Sequence, residues 1–292
     1  MRRIGEIDMS GKTAITRNMT LDERVTYLKE KAREARLHVL DMVYTAQSGH
    51  IGGSFSAAEI MTALYFDILR IDPRRPEWPE RDRFILSKGH VCPILYACLG
   101  MRGYFPIETL KTLRQFGSIL QGHPVIKTPG VDMSTGSLGM GFGIATGMAL
   151  NAKLLGAKHT VYALLGDGEC NEGIVWEVCQ TAAKYKLNNL VAVVDRNGMQ
   201  NDGFSDEIMP IDPLDKRFEA FNWRVITVDG HDLHEVIPAI EEARDYQDGP
   251  CCVLALTTKG KGVSFMENTQ YWHGKPPTKD QYEQAIEELS RS

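Results

Sequence analysis

Residues 161–168 most constrain what this chain can fold into. The apolar run Val161-Tyr162-Ala163-Leu164-Leu165 ends abruptly in Gly166-Asp167-Gly168. A second apolar run, Leu190-Val191-Ala192-Val193-Val194, ends in Asp195-Arg196-Asn197. Near-continuous apolar runs of this length read as strands buried on both faces of a parallel sheet. The residues between them read as the crossover helix that parallel strands require. One carboxylate and one carboxamide then finish neighbouring strands at the same C-terminal edge, where open α/β sheets bind ligands. Two hard oxygen ligands beside glycine-rich turns suit Mg²⁺ carrying a diphosphate, with Ca²⁺ and Mn²⁺ as alternatives.

The pattern around this pair extends the α/β reading. Strands are predicted at 83–87, 160–166, 190–196, 224–228 and 251–257. Helices are predicted at 56–69, 92–102, 106–116, 138–155, 173–186, 213–221 and 233–246. Thr20-Leu21-Asp22-Glu23 has the form of a capping box and opens a helix to about residue 44. Ser56-Ala57-Ala58-Glu59 has the same form, and Thr278-Lys279-Asp280-Gln281 marks the last helix. Strands alternating with helices predict a doubly wound, mainly parallel sheet with helices on both faces. Residues 1–20 read as an N-terminal arm and 21–292 as one domain.

Composition removes several function classes. A formal net charge of −5 argues against a nucleic-acid binder. No apolar run approaches the ~20 residues that span a bilayer. Residues 1–20 lack the apolar core of a signal peptide, so the expectation is a cytoplasmic protein away from membranes. The six cysteines form no C-x-x-C pair and sit mostly in apolar runs, which predicts reduced, buried thiols.

A second glycine-rich stretch runs from Gly136-Ser137-Leu138-Gly139 through Gly141, Gly143 and Gly147. At a helix start it would offer free N–H groups to an anion, while the later glycines allow close helix packing. It does not follow a strand, which argues against the dinucleotide fingerprint its spacing superficially matches. Four of the eight histidines adjoin glycine in turns: His50, His90, His123 and His273. Imidazoles there can donate to a diphosphate or a sugar hydroxyl and can move protons near neutral pH. Their spacing is not that of a zinc site. Glu172 stands at the start of the helix after Gly166-Asp167-Gly168, suited either to capping it or to a proton relay at an interface.

Together these residues resemble the thiamine-diphosphate-binding part of transketolase. The matching pieces are Ser48-Gly49-His50, Lys88-Gly89-His90, Gly122-His123-Pro124, Gly136-Ser137-Leu138-Gly139, Gly166-Asp167-Gly168 with Glu172-Gly173, Asn197 with Met199, and His273-Gly274. They occur in the family's order. The resemblance implies that Asp167, Asn197 and the Met199 carbonyl hold the metal. It places Gly136, Ser137, Leu138, Gly166, Gly168, Glu169, Asn197, His90 and His273 against thiamine diphosphate. His50, His123 and His273 would serve the sugar phosphate substrate. Glu172 would meet a neighbouring pyrimidine-binding domain.

The sequence departs from that pattern in two places. Ile51-Gly52-Gly53-Ser54 follows His50 where the family has Pro-Gly-Ala-Pro, and Ser137 replaces a usual proline. Both variants resemble the N-terminal subunits of split transketolases, whose two halves are separate chains. The implied partner is a C-terminal subunit carrying the pyrimidine-binding half, in a heterotetramer of two of each. The implied reaction moves a two-carbon ketol unit from a ketose phosphate to an aldose. The competing readings are a decarboxylating relative of the deoxyxylulose-phosphate synthase or 2-oxoacid dehydrogenase type, a nicotinamide oxidoreductase, and a non-catalytic assembly subunit.

Overall fold

The strands form where the apolar runs lie, and every pairing between them is parallel. The computed structural model describes residue 16 and residues 18–291, so most of the expected N-terminal arm lies outside the described residues. The strands are β1 (Arg83–Leu86), β2 (Val161–Gly166), β3 (Leu190–Arg196), β4 (Arg224–Asp229) and β5 (Cys251–Leu256). Their order across the sheet is β1-β2-β3-β5-β4. The central strands β2, β3 and β5 are buried along nearly their whole length, as runs apolar on both faces require. β4, at the edge, alternates with exposed positions.

Alternation along each strand sends side chains into two separate cores. Tyr162, Leu164, Val191, Val193 and Val253 face one side. There they meet α1 (Leu21–Ala46), α2 (Ile51–Ser56), α3 (Ala58–Ala63), α4 (Cys92–Arg102), α9 (Leu233–Asp245) and α10 (Lys279–Arg291). Ala163, Leu165, Ala192, Val194 and Leu254 face the other side. These pack on α5 (Met140–Leu154), α6 (Gly173–Lys184) and α8 (Leu214–Ala220). Burying each large aliphatic side chain in such layers contributes roughly 1.5–3 kcal/mol. The three-layer α/β architecture is the one the sequence predicts. All six cysteines are free and buried within it, as expected, and among the described residues no helix is long and apolar enough to cross a membrane.

The capping box at Thr20 and Glu23 forms in both directions, and Thr278 and Gln281 exchange the same pair of bonds. Ser56 and Glu59 do not. The Ser56 hydroxyl turns to the Asp195 carboxylate, and Glu59 pairs with Arg36 and His231. The expected helix 56–69 is therefore replaced by α2, a break at Ala57, α3, and a π turn at Leu64–Ile68. The expected helix 106–116 shrinks to a 3₁₀ segment, Ile107–Thr112, because Arg114 and Gly117 both take left-handed backbone. A short helix not foreseen in the sequence, α7 (Ser205–Ile208), follows the Asn197 turn.

Candidate functional site

Register fixes which loops meet. Leu86 of β1 pairs with Leu164 of β2, Gly166 of β2 with Asp195 of β3, and Arg196 of β3 with Leu256 of β5. Four strand ends therefore deliver Lys88 and His90, Asp167 to Glu169, Asn197 to Gln200, and Lys259 to one edge of the sheet. They line a cavity of about 570 Å³, joined by His50 from the start of α2 and by His273 from the segment before α10. Gly52 makes that junction feasible: a Cβ there would sit 2.9 Å from the Trp272 carbonyl and 3.1 Å from the Lys259 stem. No side chain fits, so the turn carrying His50 can close on the segment carrying His273.

One wall of the cavity is electropositive. The His50, His90 and His273 rings cluster with centroids 5.1–5.3 Å apart. Lys259 Nζ donates to the Gln200 carbonyl at 3.0 Å and lies 2.9 Å from His273 Nδ1. A protonated Lys259 makes Nδ1 the acceptor, which leaves the hydrogen on Nε2 of His273. Burial pushes His90 down to about 2, with Lys88 adding to it. Burial holds His273 at about 3, aided by Lys259, and His50 at about 4, aided by Arg114. Lys259 itself falls to about 8 through burial, against the pull of Asp167. Burial thus keeps the three imidazoles neutral and leaves Lys259 as the cation on this wall without a carboxylate partner among the described residues. A diphosphate placed among them would meet the Lys259 charge and imidazole N–H donors.

The opposite need appears a few residues away. Asp167 is buried, and burial together with the neighbouring Asp195 raises its pKa. One of its oxygens accepts from Gly168 N at 3.0 Å. The other accepts from Gly198 N at 2.9 Å and from the Ser205 hydroxyl at 3.0 Å. The Asn197 side-chain oxygen accepts from Met199 N at 3.1 Å. Among the described residues no three His, Cys, Asp or Glu side chains converge as a metal cluster. A cation here would draw instead on Asp167, the Asn197 amide oxygen, a backbone carbonyl and phosphate oxygens. That donor set is what Mg²⁺ accepts when it arrives with a diphosphate, so the residues fit both groups.

Most of the residues singled out from sequence line this cavity: His50, His90, Leu138, Gly166, Asp167, Gly168, Glu169, Glu172, Asn197, Met199 and His273. Three do not. His123 is exposed, and its ring packs on Gly136; neither Gly136 nor Ser137 reaches the cavity. At the start of α5, one of the amides expected to face an anion, that of Gly139, already has a protein partner. The Glu169 carboxylate takes the Gly139 N–H at 2.7 Å, the Gly166 N–H at 3.1 Å and the Ser87 hydroxyl. Glu169 thus ties β1, β2 and α5 together at the cavity wall. Glu172 is exposed at the rim and makes no capping bond to α6. Of the packing glycines, Gly141 has a packing reason, since a Cβ would lie 2.7 Å from Ser87 Cα, whereas Gly147 faces open space.

Sequence reasoning gave no role to Lys88, Asp195, Lys259 or Ser205. Lys88 and Asp195 form a fully buried ion pair, and the Asp195 carboxylate also accepts from Ser56 and Thr257. Lys259 carried the same signal that exposed Asp167, a strand end followed closely by glycine, in Thr257-Thr258-Lys259-Gly260.

Comparison with known proteins fits this geometry. Residues 28–290 match the family model for the transketolase, thiamine diphosphate binding domain. The chain is 43% identical to the 6-deoxy-6-sulfo-D-fructose transketolase subunit of Clostridium sp. (strain MSTE9), over 93% of this chain and 99% of that one. It is 41% identical to an apulose-4-phosphate transketolase subunit of Phocaeicola vulgatus, over 91% of this chain and 95% of the relative. Transketolase from Campylobacter jejuni superposes with a TM-score of 0.87 at 34% identity, covering 91% of this chain and 43% of that chain.

Proposed function

The chain belongs to the transketolase family, as its thiamine diphosphate binding domain, and from that premise we propose which residues act and with what partner. The chain is an N-terminal transketolase subunit, with residues 21–292 as its diphosphate-binding domain. It completes its site with a second, C-terminal subunit, in an assembly of two of each. Its substrates are sugars bearing a phosphate or a comparable oxyanion, in keeping with the substrates its relatives are named for.

The observation that carries this reading is the meeting of two lysines, three histidines and Asp167 on a single cavity at the sheet's carboxyl edge. Asp167, Asn197 and the Met199 carbonyl hold Mg²⁺. Lys259, His90 and His273 hold the diphosphate, with Gly166 and Gly168 allowing its close approach. Thiamine diphosphate supplies an electron sink for breaking and forming the carbon–carbon bond next to a ketose carbonyl. This chain's own residues bind, orient and move protons. His50, neutral at working pH, takes or gives a proton at a sugar hydroxyl, and its buried, unpartnered Nδ1 leaves room for that change. Glu172 stands at the rim, where the second subunit arrives, and exposed His123 reaches the substrate once that subunit completes the site. Half-exposed Ile208 and Met209 on the same rim offer apolar surface for that subunit.

The test is calorimetric and kinetic. Thiamine diphosphate should bind the two-subunit complex only with a divalent cation, and ketol transfer should require both subunits. Full transfer by the purified chain alone would sink the partner. Binding of a nicotinamide dinucleotide in place of thiamine diphosphate would sink the cofactor assignment.

A further inference from the structure

His231 sits in the turn between β4 and α9, outside the cavity, and both of its ring nitrogens are engaged. Nδ1 lies 2.9 Å from a Glu59 carboxylate oxygen, and Nε2 lies 2.8 Å from the Thr258 amide nitrogen. A backbone N–H can only donate, so Nε2 accepts, and the ring hydrogen on Nδ1 goes to Glu59. Glu59 is fixed in its turn. Arg36 donates to both of its oxygens at 2.7 Å, and to the Phe55 carbonyl at 2.9 Å. Burial works against the Glu59 charge, but Arg36 and His231 outweigh it and hold the carboxyl at about 2. An ionised carboxylate is an acceptor only, which selects the same tautomer of His231. Capping α9 does not need this ring, since Asp232 already accepts from His234 N.

The turn is shaped for this contact. Gly230 N donates to the Leu256 carbonyl at 2.8 Å. A Cβ on Gly230 would overlap the Thr257 methyl and lie 3.1 Å from the Leu256 carbonyl oxygen. Glycine therefore lets the turn after β4 close on the end of β5, and what the His231 ring meets there is the segment carrying Lys259. The amides of Thr257 and Gly260 donate to the Arg196 and Gly52 carbonyls at 3.1 and 3.0 Å. The amide of Thr258, between them, is held by His231 instead. Lys259 follows directly, with its Nζ 3.0 Å from the Gln200 carbonyl and 2.9 Å from His273 Nδ1. A run of bonds from α1 and α3 through His231 thus ends one residue before the cation of the cavity wall.

We propose that His231 is a positioning residue for the diphosphate: held by Glu59 and Arg36 in the tautomer that accepts from the Thr258 N–H, it fixes the backbone from which Lys259 reaches the cavity. This rests on the transketolase reading above.

Two substitutions separate the two bonds. An asparagine amide takes the place of Nδ1, and a glutamine amide reaches the place of Nε2. Thiamine diphosphate with Mg²⁺ is titrated calorimetrically into complexes of the C-terminal subunit with wild type, His231→Asn, His231→Gln, Lys259→Met, and His231→Asn combined with Lys259→Met. His231→Asn keeps the donor to Glu59 and loses the acceptor for Thr258. Its Kd should rise roughly 10-fold, the lower end of what supports behind a ligand-binding group are worth. His231→Gln keeps the acceptor and should stay within about threefold of wild type. In the Lys259→Met background His231→Asn should cost nothing further, because residues acting through one group are not additive. Equal losses in the two His231 variants, no loss in His231→Asn, or a full loss that persists without Lys259 overturns the assignment. Should His231→Asn fail to fold, His231→Gln decides alone: affinity near wild type supports the proposal, and a loss of about 10-fold overturns it. If the wild-type complex binds no thiamine diphosphate, the functional reading itself falls and takes this inference with it.

Discussion

The inner wall of the cavity and its outer rim are built in opposite ways. Inside, nearly every polar atom is already held: Asp167 by three donors, Asp195 by Lys88, Ser56 and Thr257, Glu169 by Ser87 and two backbone amides. At the rim, Glu172 is exposed without a capping bond, and Ile208 and Met209 are half-exposed. Preorganised dipoles cost no reorganisation when a charged ligand arrives. The inner wall is already organised as the proposed diphosphate half-site would require. The rim is unfinished, as a surface that must admit substrate and a second chain has to be.

Four substitutions probe that difference, in descending order of effect. Asp167→Ala, on the inner wall, should lower kcat/KM at least about 10³-fold and abolish cation-dependent cofactor binding in calorimetry, since even outer-shell partners of a metal are worth ~10–100-fold. His50→Ala, at the junction of wall and rim, should lower kcat about 10²–10³-fold, the scale of a lost proton-transfer group. Its affinity for the cofactor should stay near wild type; a parallel loss of both would place His50 wholly within the wall.

Lys88→Met leaves Asp195 charged, buried and unpaired, and should destabilise the folded chain by about 3–5 kcal/mol in urea unfolding. An unchanged midpoint would mean that the wall is not held together by this pair. The smallest effect is a slope. Lys259 releases its proton near 8 in the folded chain against 10.5 for the ordinary side chain. Between those values the unfolded chain holds a proton that the folded chain has lost. Stability from this group therefore rises with pH across the window and its cost is fully present below it. Lys259→Met should remove that increment from stability measured between about pH 8 and pH 10.5, and a wild-type slope in the variant would refute it.

The sheet was legible because burial on both faces writes itself as apolar runs. Residues 161–165 and 190–194 could be little else, and their ends located Asp167 and Asn197 without any tertiary knowledge. Local signals failed where a side chain had a distant partner. Ser56 and Glu59 spell a capping box, yet Asp195, Arg36 and His231 claim them across the fold. Glu169 adjoins Asp167, and only the close approach of α5 shows that its carboxylate also takes the Gly139 and Gly166 amides and the Ser87 hydroxyl. Lys88 and Lys259 stood beside glycines at strand ends, but charge alone does not say whether a lysine is solvated or buried. Arg114 sat inside an apparent helical pattern that its own backbone interrupts.

The six sheltered thiols have a practical consequence. Burial raises the proton affinity of each one, and only an exposed thiolate attacks an alkylating reagent. Cys251 and Cys252 sit in β5 and Cys170 just past β2, so their labelling must wait for the sheet to open. Mass added per minute then counts opening events, and slower labelling on adding thiamine diphosphate and Mg²⁺ would record ligand binding without a substrate, a partner or an assay of turnover.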